Sequence, residues 1–118
     1  DPLGLISPVT LRFKQMFQEL CRSKVGWDEP LNDELCEEWN QIVQKLKEAS
    51  YMSIPRCYCP DSFHSPIKST ELHSFGDASE SSYGACVYLR CEHSEGIHCD
   101  LIASKTRALQ CPSRQYLD

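Results

Sequence analysis

Apolar residues in the first part of the chain recur with the period of an α-helix. They lie at spacings that place them on one helical face, namely Val9, Phe13, Met16, Phe17 and Leu20. Ser7 is predicted to cap this helix, because Pro8 behind it suits the first helical position, where a missing N–H costs nothing. Gly26 is predicted to end the helix, shortly after the basic Lys24.

A second helix is predicted with clearer ends. Asn32 is its expected N-cap, acidic residues fill its first turns and lysines its last, so both charge groups complement the helix dipole. Its apolar stripe consists of Leu35, Trp39, Ile42, Val43, Leu46 and Ala49. Two amphipathic helices joined by a short link predict an antiparallel helical hairpin over residues 1–50, which leaves one side of each stripe for further protein to cover.

The period changes after Ser50. Three residue-proline pairs mark residues 51–69 as a proline-punctuated linker, because the residue before a proline is extended. Three short strand candidates follow, at Glu71 to Gly76, Tyr83 to Arg90 and His98 to Ser104. Their spacing predicts a three-stranded antiparallel meander whose second strand is buried on both faces. The expected fold class is therefore α+β, with an irregular tail over residues 108–118.

Charge and hydropathy argue against an independent nucleic-acid binder and against a protein with a membrane-spanning helix. Acidic residues outnumber basic ones by 17 to 12, and the net charge is −5. This balance argues against an independent nucleic-acid binder, because proteins that track phosphates cluster lysine and arginine on one face. No apolar run approaches the roughly 20 residues of a membrane helix. The first residue is Asp, with no signal-peptide pattern behind it, so we expect that the N-terminus was cut from something longer.

The eight cysteines leave a zinc site as an alternative. They are less dense than in disulfide scaffolds, which favours a reduced, intracellular setting. The close pair Cys57 and Cys59 has C-x-C spacing rather than that of a zinc ribbon, and His64 and His73 follow without a matching second pair. Cys21, Cys36 and Cys86 lie within predicted elements, where they are better explained as small apolar fillers. The alternative function is a captured protein-interaction module, stabilised by zinc through Cys57 and Cys59.

The most informative stretch surrounds Asp77. Residues 72–79 read LHSFGDAS and residues 83–88 read YGACVY. This places an aspartate at the end of the first predicted strand, before a turn of small residues and a strand that starts at glycine. A rigid strand fixes the carboxylate, and small neighbours leave room for a metal ion and a phosphate backbone. Taken alone, an Asp-Ala-Ser sequence after a strand is more often a polar turn.

These motifs, with residues 1–9 (DPLGLISPV), 26–28 (GWD) and 104–107 (SKTR), resemble polyproteins of BEL/Pao-type retrotransposons in the same order. The resemblance implies that residues 1–50 are the connection that follows a reverse transcriptase palm. Residues 70–107 would be the first strands of a ribonuclease H-like domain, and the sheet would be incomplete. It further implies Asp77 as a metal-binding carboxylate, with Mg²⁺ as cofactor and an RNA–DNA hybrid as partner of the intact parent.

The chain departs from the family pattern after Arg107. In the family, the next segment opens a helix that carries the second metal-binding carboxylate, and neither Glu71 nor Glu80 occupies that position. Two-metal hydrolysis needs several oxygen ligands around a pair of ions. We therefore expect Asp77 to be vestigial here, no catalytic activity in this chain by itself, no bound cofactor, and little binding of nucleic acid.

Overall fold

The computed structural model describes residues 1–58 and 65–109. Two helices are followed by three strands: α1 (Ser7–Arg22), α2 (Asp33–Ser50), β1 (Ile67–Ala78), β2 (Ser82–His93) and β3 (Gly96–Ala108). The strands form one antiparallel sheet in the order β1-β2-β3. The predicted α+β class and the meander are confirmed. Each strand extends beyond its predicted bounds at both ends, because the ladder continues wherever both neighbours remain extended.

The beginning of α1 differs from the prediction. Ser7 is the first residue of the helix, and the N-cap residue Ile6 makes no side-chain capping bond. The carboxylate of Asp1 accepts hydrogen bonds from the backbone N–H groups of Leu5 and Ile6 at 2.8 and 3.0 Å. The hydroxyl oxygen of Ser7 lies 3.1 Å from Ser104 Oγ, within hydrogen-bond distance. The prediction of Ser7 as the cap is therefore wrong, because a residue far along the chain engages its side chain.

The end of α1 is also earlier than predicted. The helix ends at Arg22, and Lys24 takes a left-handed conformation with φ of 56°. The N–H of Val25 donates to the carbonyl of Leu20 at 3.2 Å, which is the long bond of a Schellman motif. The prediction that Gly26 ends the helix is wrong, because a lysine occupies the left-handed position that glycine usually takes.

The beginning of α2 follows the prediction closely. Asn32 precedes the helix in an extended conformation, and its Oδ1 accepts a hydrogen bond from the N–H of Leu35 at 2.8 Å. Asp33 and Glu34 occupy the first turn and Lys47 the last, so the charges complement the helix dipole. The predicted cap is confirmed.

The two helices contact each other near their middles. The rings of Phe13 and Trp39 meet edge to face, with 5.2 Å between their centroids. Beside them, Arg12 forms an ion pair with Glu38 at 3.3 Å. Both ionic side chains are about half exposed to solvent, which screens their attraction, so the aromatic pair contributes more to the contact than the ion pair does.

The sheet has little covering on either face. β1 is exposed at every position except Ser69, and only Cys91 and His93 are buried in β2. The prediction that the second strand is buried on both faces is wrong, because the described residues supply no layer that covers it. The radius of gyration is 19.8 Å, compared with about 13 Å for a compact domain of 100 residues.

One junction joins the N-terminal segment to the last strand. The N–H of Ser104 donates to the carbonyl of Leu3 at 2.8 Å, and its hydroxyl donates to the carbonyl of Gly4. The hydroxyl of Thr106 donates to the carbonyl of Ser7 at 3.4 Å. Gly4 has a φ of +70°, and a Cβ built there would lie 1.7 Å from the carbonyl oxygen of Ser104. Only glycine fits this close approach, which places α1 beside β3.

Candidate functional site

Asp77 is the next-to-last residue of β1, where the strand leads into the link to β2. Its side chain is exposed, and Oδ1 accepts a hydrogen bond from the N–H of Ala78 at 2.8 Å. The hydroxyl of Ser79 organises the link, because it accepts from the N–H of Ser82 at 3.2 Å and lies 3.1 Å from the carbonyl of the same residue. The carboxylate is therefore held at a fixed place beside a tight, serine-rich turn.

The sheet register leaves an opening beside this carboxylate. Asp77 lies opposite Gly84 on β2, and Gly84 lies opposite Thr106 on β3. Residues directly opposite each other share a face of the sheet, so the three belong to one face. A Cβ at Gly84 would lie 3.3 Å from Thr106 Cγ2. A side chain at Gly84 would therefore crowd Thr106 and fill the space between Thr106 and Asp77.

A cleft of about 150 Å³ occupies this space. Helix α1 closes its far side, because Thr106 bonds to the carbonyl of Ser7 and Leu11 lies one turn further along the helix. The lining residues include Leu11, Asp77, Ser79, Ser82, Gly84 and Thr106. A larger depression of about 460 Å³ lies on α2, but a single helix lines it and Asp77 is not part of it. The cleft at Asp77 is therefore the candidate site.

Asp77 lies near the end of the first strand, at the position that the sequence pattern predicted. Residues 1–115 match the family described as "Pao retrotransposon-like RNaseH-like domain". The chain belongs to this family. The match runs past Arg107, so it includes part of the tail in which we found no counterpart to the family. No curated protein and no solved structure matches the chain.

Membership of the Pao retrotransposon-like family identifies the chain as part of a retrotransposon Pol polyprotein and confirms the resemblance seen in its motifs. The ribonuclease H-like description of the family indicates a parent of the nuclease type. Neither α1 nor α2, the helices of the described residues, is long and apolar enough to cross a membrane.

The described residues do not fit the pair of metal ions on which a ribonuclease H-like enzyme relies. Within residues 1–58 and 65–109, no group of three or more histidine, cysteine, aspartate or glutamate side chains converges to hold a metal ion. Among these residues, Asp77 is the one acidic residue that lines the cleft, with the hydroxyls of Ser79 and Ser82 as its polar neighbours. Mg²⁺ demands near-octahedral oxygen ligands, and a paired site needs carboxylates that bridge two ions. No hydrolytic step follows from these side chains.

Glu71 and Glu80 do not add to the site. Glu71 lies six residues before Asp77 on the same strand, which corresponds to about 20 Å. Its carboxylate is 2.8 Å from His73 Nε2 and 3.6 Å from the Arg90 guanidinium. The hydrogen bond from His73, and then the charge of Arg90, hold the pKa of Glu71 below its ordinary value. Glu80 is in the link after β1 and does not line the cleft.

The alternative zinc site rests largely on residues outside the described part of the chain. Cys59 and His64 both lie there, whereas Cys57 is described and exposed. His73, the second histidine considered for this site, is on β1 and bonds to Glu71. Stabilisation by zinc through Cys57 and Cys59 therefore stays a prediction.

Sequence reasoning missed the wall that α1 supplies to the cleft. Leu11 is not part of the apolar stripe from which α1 was predicted, and Thr106 was noted only as part of a family motif. Both line the same cleft because of the junction at Gly4 and Ser104, which are one hundred residues apart. Gly4 is the one local signal, because a glycine just before a helix start often marks a backbone that another segment approaches closely.

Proposed function

We propose that this chain is the part of a retrotransposon Pol polyprotein that spans the reverse transcriptase connection and a partial ribonuclease H, without catalytic activity of its own. The intact parent would cleave an RNA–DNA hybrid with Mg²⁺ as its cofactor. Asp77 would supply one of the metal ligands there. The observation that carries the proposal is the single acidic side chain that the described residues bring to the cleft beside the sheet.

The chemistry of the reaction explains why one carboxylate is too few. Two metal ions about 3.5–4 Å apart must activate a water molecule and stabilise the leaving oxygen. Each ion needs several oxygen ligands, so a lone exposed carboxylate binds such ions loosely. The strand end and Gly84 give Asp77 the right surroundings, but the further carboxylates must come from elsewhere in the parent.

The lining of the cleft also disfavours tight binding of nucleic acid by this chain. None of the described residues that line it is lysine or arginine. Phosphate contacts to basic side chains supply most of the sequence-independent affinity of nucleic-acid binders. The net charge of −5 opposes such binding further. Most of the positive surface for an RNA–DNA hybrid would lie in other parts of the parent.

A cleavage assay on a labelled RNA–DNA hybrid tests the proposed inactivity. The wild-type chain, Asp77→Asn and the control Asp28→Asn, an exposed aspartate in the link between the helices, are each incubated with Mg²⁺ or Mn²⁺. We expect no cleavage above the buffer blank from any of the three, while a known nuclease digests the same substrate. Cleavage by the wild type and Asp28→Asn that disappears in Asp77→Asn would overturn the proposal.

Metal binding tests independently whether Asp77 is part of a complete set of metal ligands. Titration with Mn²⁺, followed by paramagnetic broadening of amide NMR signals, should affect the residues around Asp77 only at about millimolar metal, because one carboxylate is a weak site. Asp77→Asn should remove this broadening, and Asp28→Asn should leave it unchanged. Binding at micromolar metal would reveal a complete set of ligands and contradict the proposal.

A further inference from the structure

The outer edge of β1 is uncovered in the described part of the chain. β1 pairs with β2 on one side, and no backbone hydrogen bond joins its other side to residues 1–58 or 65–109. The opposite edge of the sheet is different. On β3, the N–H of Ser104 donates to the carbonyl of Leu3, and α1 lies beside this strand. Among the described residues, the sheet therefore has one long free edge, which runs from Ile67 to Ala78.

This edge lacks most of the features by which proteins prevent strand pairing. Natural edge strands are often short, or carry prolines, bulges and several lysines. β1 has twelve residues, no proline and a single lysine, Lys68, which lies where the register shifts between Ile67 and Ser69. Leu72 and Phe75 are 67% and 58% exposed. The regular stretch from Ser69 onwards is thus a template for another strand.

The charges of β1 complement a second copy of the same strand. Antiparallel pairing about a two-fold axis keeps each residue on its own face of the sheet, so the axis must pass through a residue. The longest overlaps place this axis at Leu72 or at His73. An axis at His73 sets two imidazoles opposite each other. An axis at Leu72 sets two leucines opposite each other and places each Glu71 opposite His73 of the second copy.

We propose that β1 pairs antiparallel with β1 of a second copy of this chain, with Leu72 opposite Leu72 of that copy. The dimer contains a continuous six-stranded sheet, in which the two free edges are buried together. Arg90 lies 3.6 Å from Glu71 within each copy, so acidic and basic side chains alternate across the dimer interface. A histidine and a carboxylate on facing strand residues can pair by a hydrogen bond, as His73 and Glu71 do within one copy at 2.8 Å, and such cross-strand pairs stabilise pairing. The paired edge ends at Asp77 and Ala78, which line the cleft, but the pairing requires neither metal binding nor catalysis there.

Sedimentation equilibrium of the full chain, under reducing conditions and over a wide concentration range, tests the dimer. We expect a reversible equilibrium between monomer and dimer. Leu72→Lys should weaken the dimer at least tenfold, because it sets two ammonium groups against each other at the axis. The control Ile97→Lys changes a residue of β3 that is 55% exposed, and it should leave the equilibrium unchanged.

A charge exchange tests the register. His73→Glu sets two carboxylates against each other, and Glu71→Lys removes both attractive pairs, so each variant alone should form a weaker dimer. An equimolar mixture places the carboxylate introduced in one variant opposite the ammonium group introduced in the other, and should restore association through a mixed dimer. Circular dichroism of each variant checks that its sheet is retained.

Three outcomes would overturn the proposal. The first is a wild-type chain that stays monomeric at every concentration. The second is a dimer that Leu72→Lys leaves unchanged, which would place the interface on another surface. The third is a mixture of the two charge variants that associates no better than either alone, which would exclude the register about Leu72. Restored association in the mixture, with both variants folded, would establish it.

Discussion

The helical part and the sheet are stabilised in different ways. The helices depend on well-formed ends and on one aromatic contact, between Phe13 and Trp39. The sheet depends on two long ladders of backbone hydrogen bonds, but its faces are largely exposed. Hydrogen bonds exchanged with water contribute modestly to stability, whereas apolar burial contributes most of it. The comparison shows that the sheet can be well defined in register and still need more protein around it.

The two parts meet mainly at one small junction, and Gln18 of α1 also donates to the carbonyl of Leu109 at 2.8 Å. Leu3, Gly4 and Ser7 contact Ser104 and Thr106 through four hydrogen bonds. The same junction holds α1 against the cleft that contains Asp77. A change at the junction should therefore separate the helices from the sheet without breaking either, and it should have the largest effect.

Gly4→Ala should open the junction. The new Cβ would overlap the carbonyl of Ser104, and alanine is strained at a φ of +70°. We expect a loss of about 3 kcal/mol, which corresponds to an increase on the order of 100-fold in hydrogen exchange at the Ser104 amide. Gly76→Ala is the control, because a Cβ there meets only Gly84 at an ordinary 3.7 Å. Equal protection of Ser104 in both variants would contradict the prediction.

Trp39→Ala should loosen the contact between the helices and leave the sheet intact. The substitution removes the edge-to-face partner of Phe13, and we expect the free energy of unfolding of the helices to fall by about 1–2 kcal/mol. Urea denaturation followed by circular dichroism at 222 nm measures this change. Trp27 is 93% exposed, so Trp27→Ala should leave the midpoint unchanged. A similar shift in both variants would show that the aromatic pair contributes nothing.

Asn32→Ala should destabilise α2 by about 1 kcal/mol, because the N–H of Leu35 loses its acceptor. Asn40→Ala is the matched control, since Asn40 is exposed within the same helix and alanine favours helices. A urea titration followed by the helical circular dichroism signal measures the unfolding midpoint of each variant. If the two substitutions shift the midpoint equally, Asn32 does not act as a cap in solution.

His73→Ala should have the smallest effect, at the surface of the sheet. The pKa of Glu71 lies below its ordinary value, chiefly through the hydrogen bond from His73 and then through Arg90. This pair therefore adds stability above the ordinary glutamate pKa, and the contribution disappears as pH falls through the lowered pKa. Carbon-13 NMR of the Glu71 carboxylate should show its pKa rising in His73→Ala. A smaller rise is expected in Arg90→Gln, and the reverse order would contradict the assigned causes.

The difference between local and distant contacts explains which features could be predicted from the sequence. The cap at Asn32 and the order of the strands follow from local signals, namely a capping side chain, helical periodicity and turn residues between apolar runs. The strand-end position of Asp77 follows from the same local pattern. These features depend on residues a few positions apart, so the sequence alone was enough to predict them.

The features that could not be predicted depend on distant contacts or on missing ones. Ser7 looked like a cap, but its hydroxyl is engaged by Ser104 and Asp1 takes over the capping of the first amides. The second strand looked like a central strand because its residues are apolar, yet burial requires covering layers that the described residues do not provide. The position of Leu11 beside Asp77 likewise depends on the junction at Gly4.

The bond between Gly4 and Ser104 also sets an order of events during synthesis. One hundred residues separate its two partners. Ribosomes add roughly 5–20 residues per second, so the carbonyls of the leading segment wait about 5–20 s for the strand that carries their donor. Helices and hairpins form within microseconds. Both helices and the first hairpin can therefore form on the ribosome before the wall beside Asp77 closes, and the free edge of the first strand is accessible to neighbouring chains from the time that strand is made.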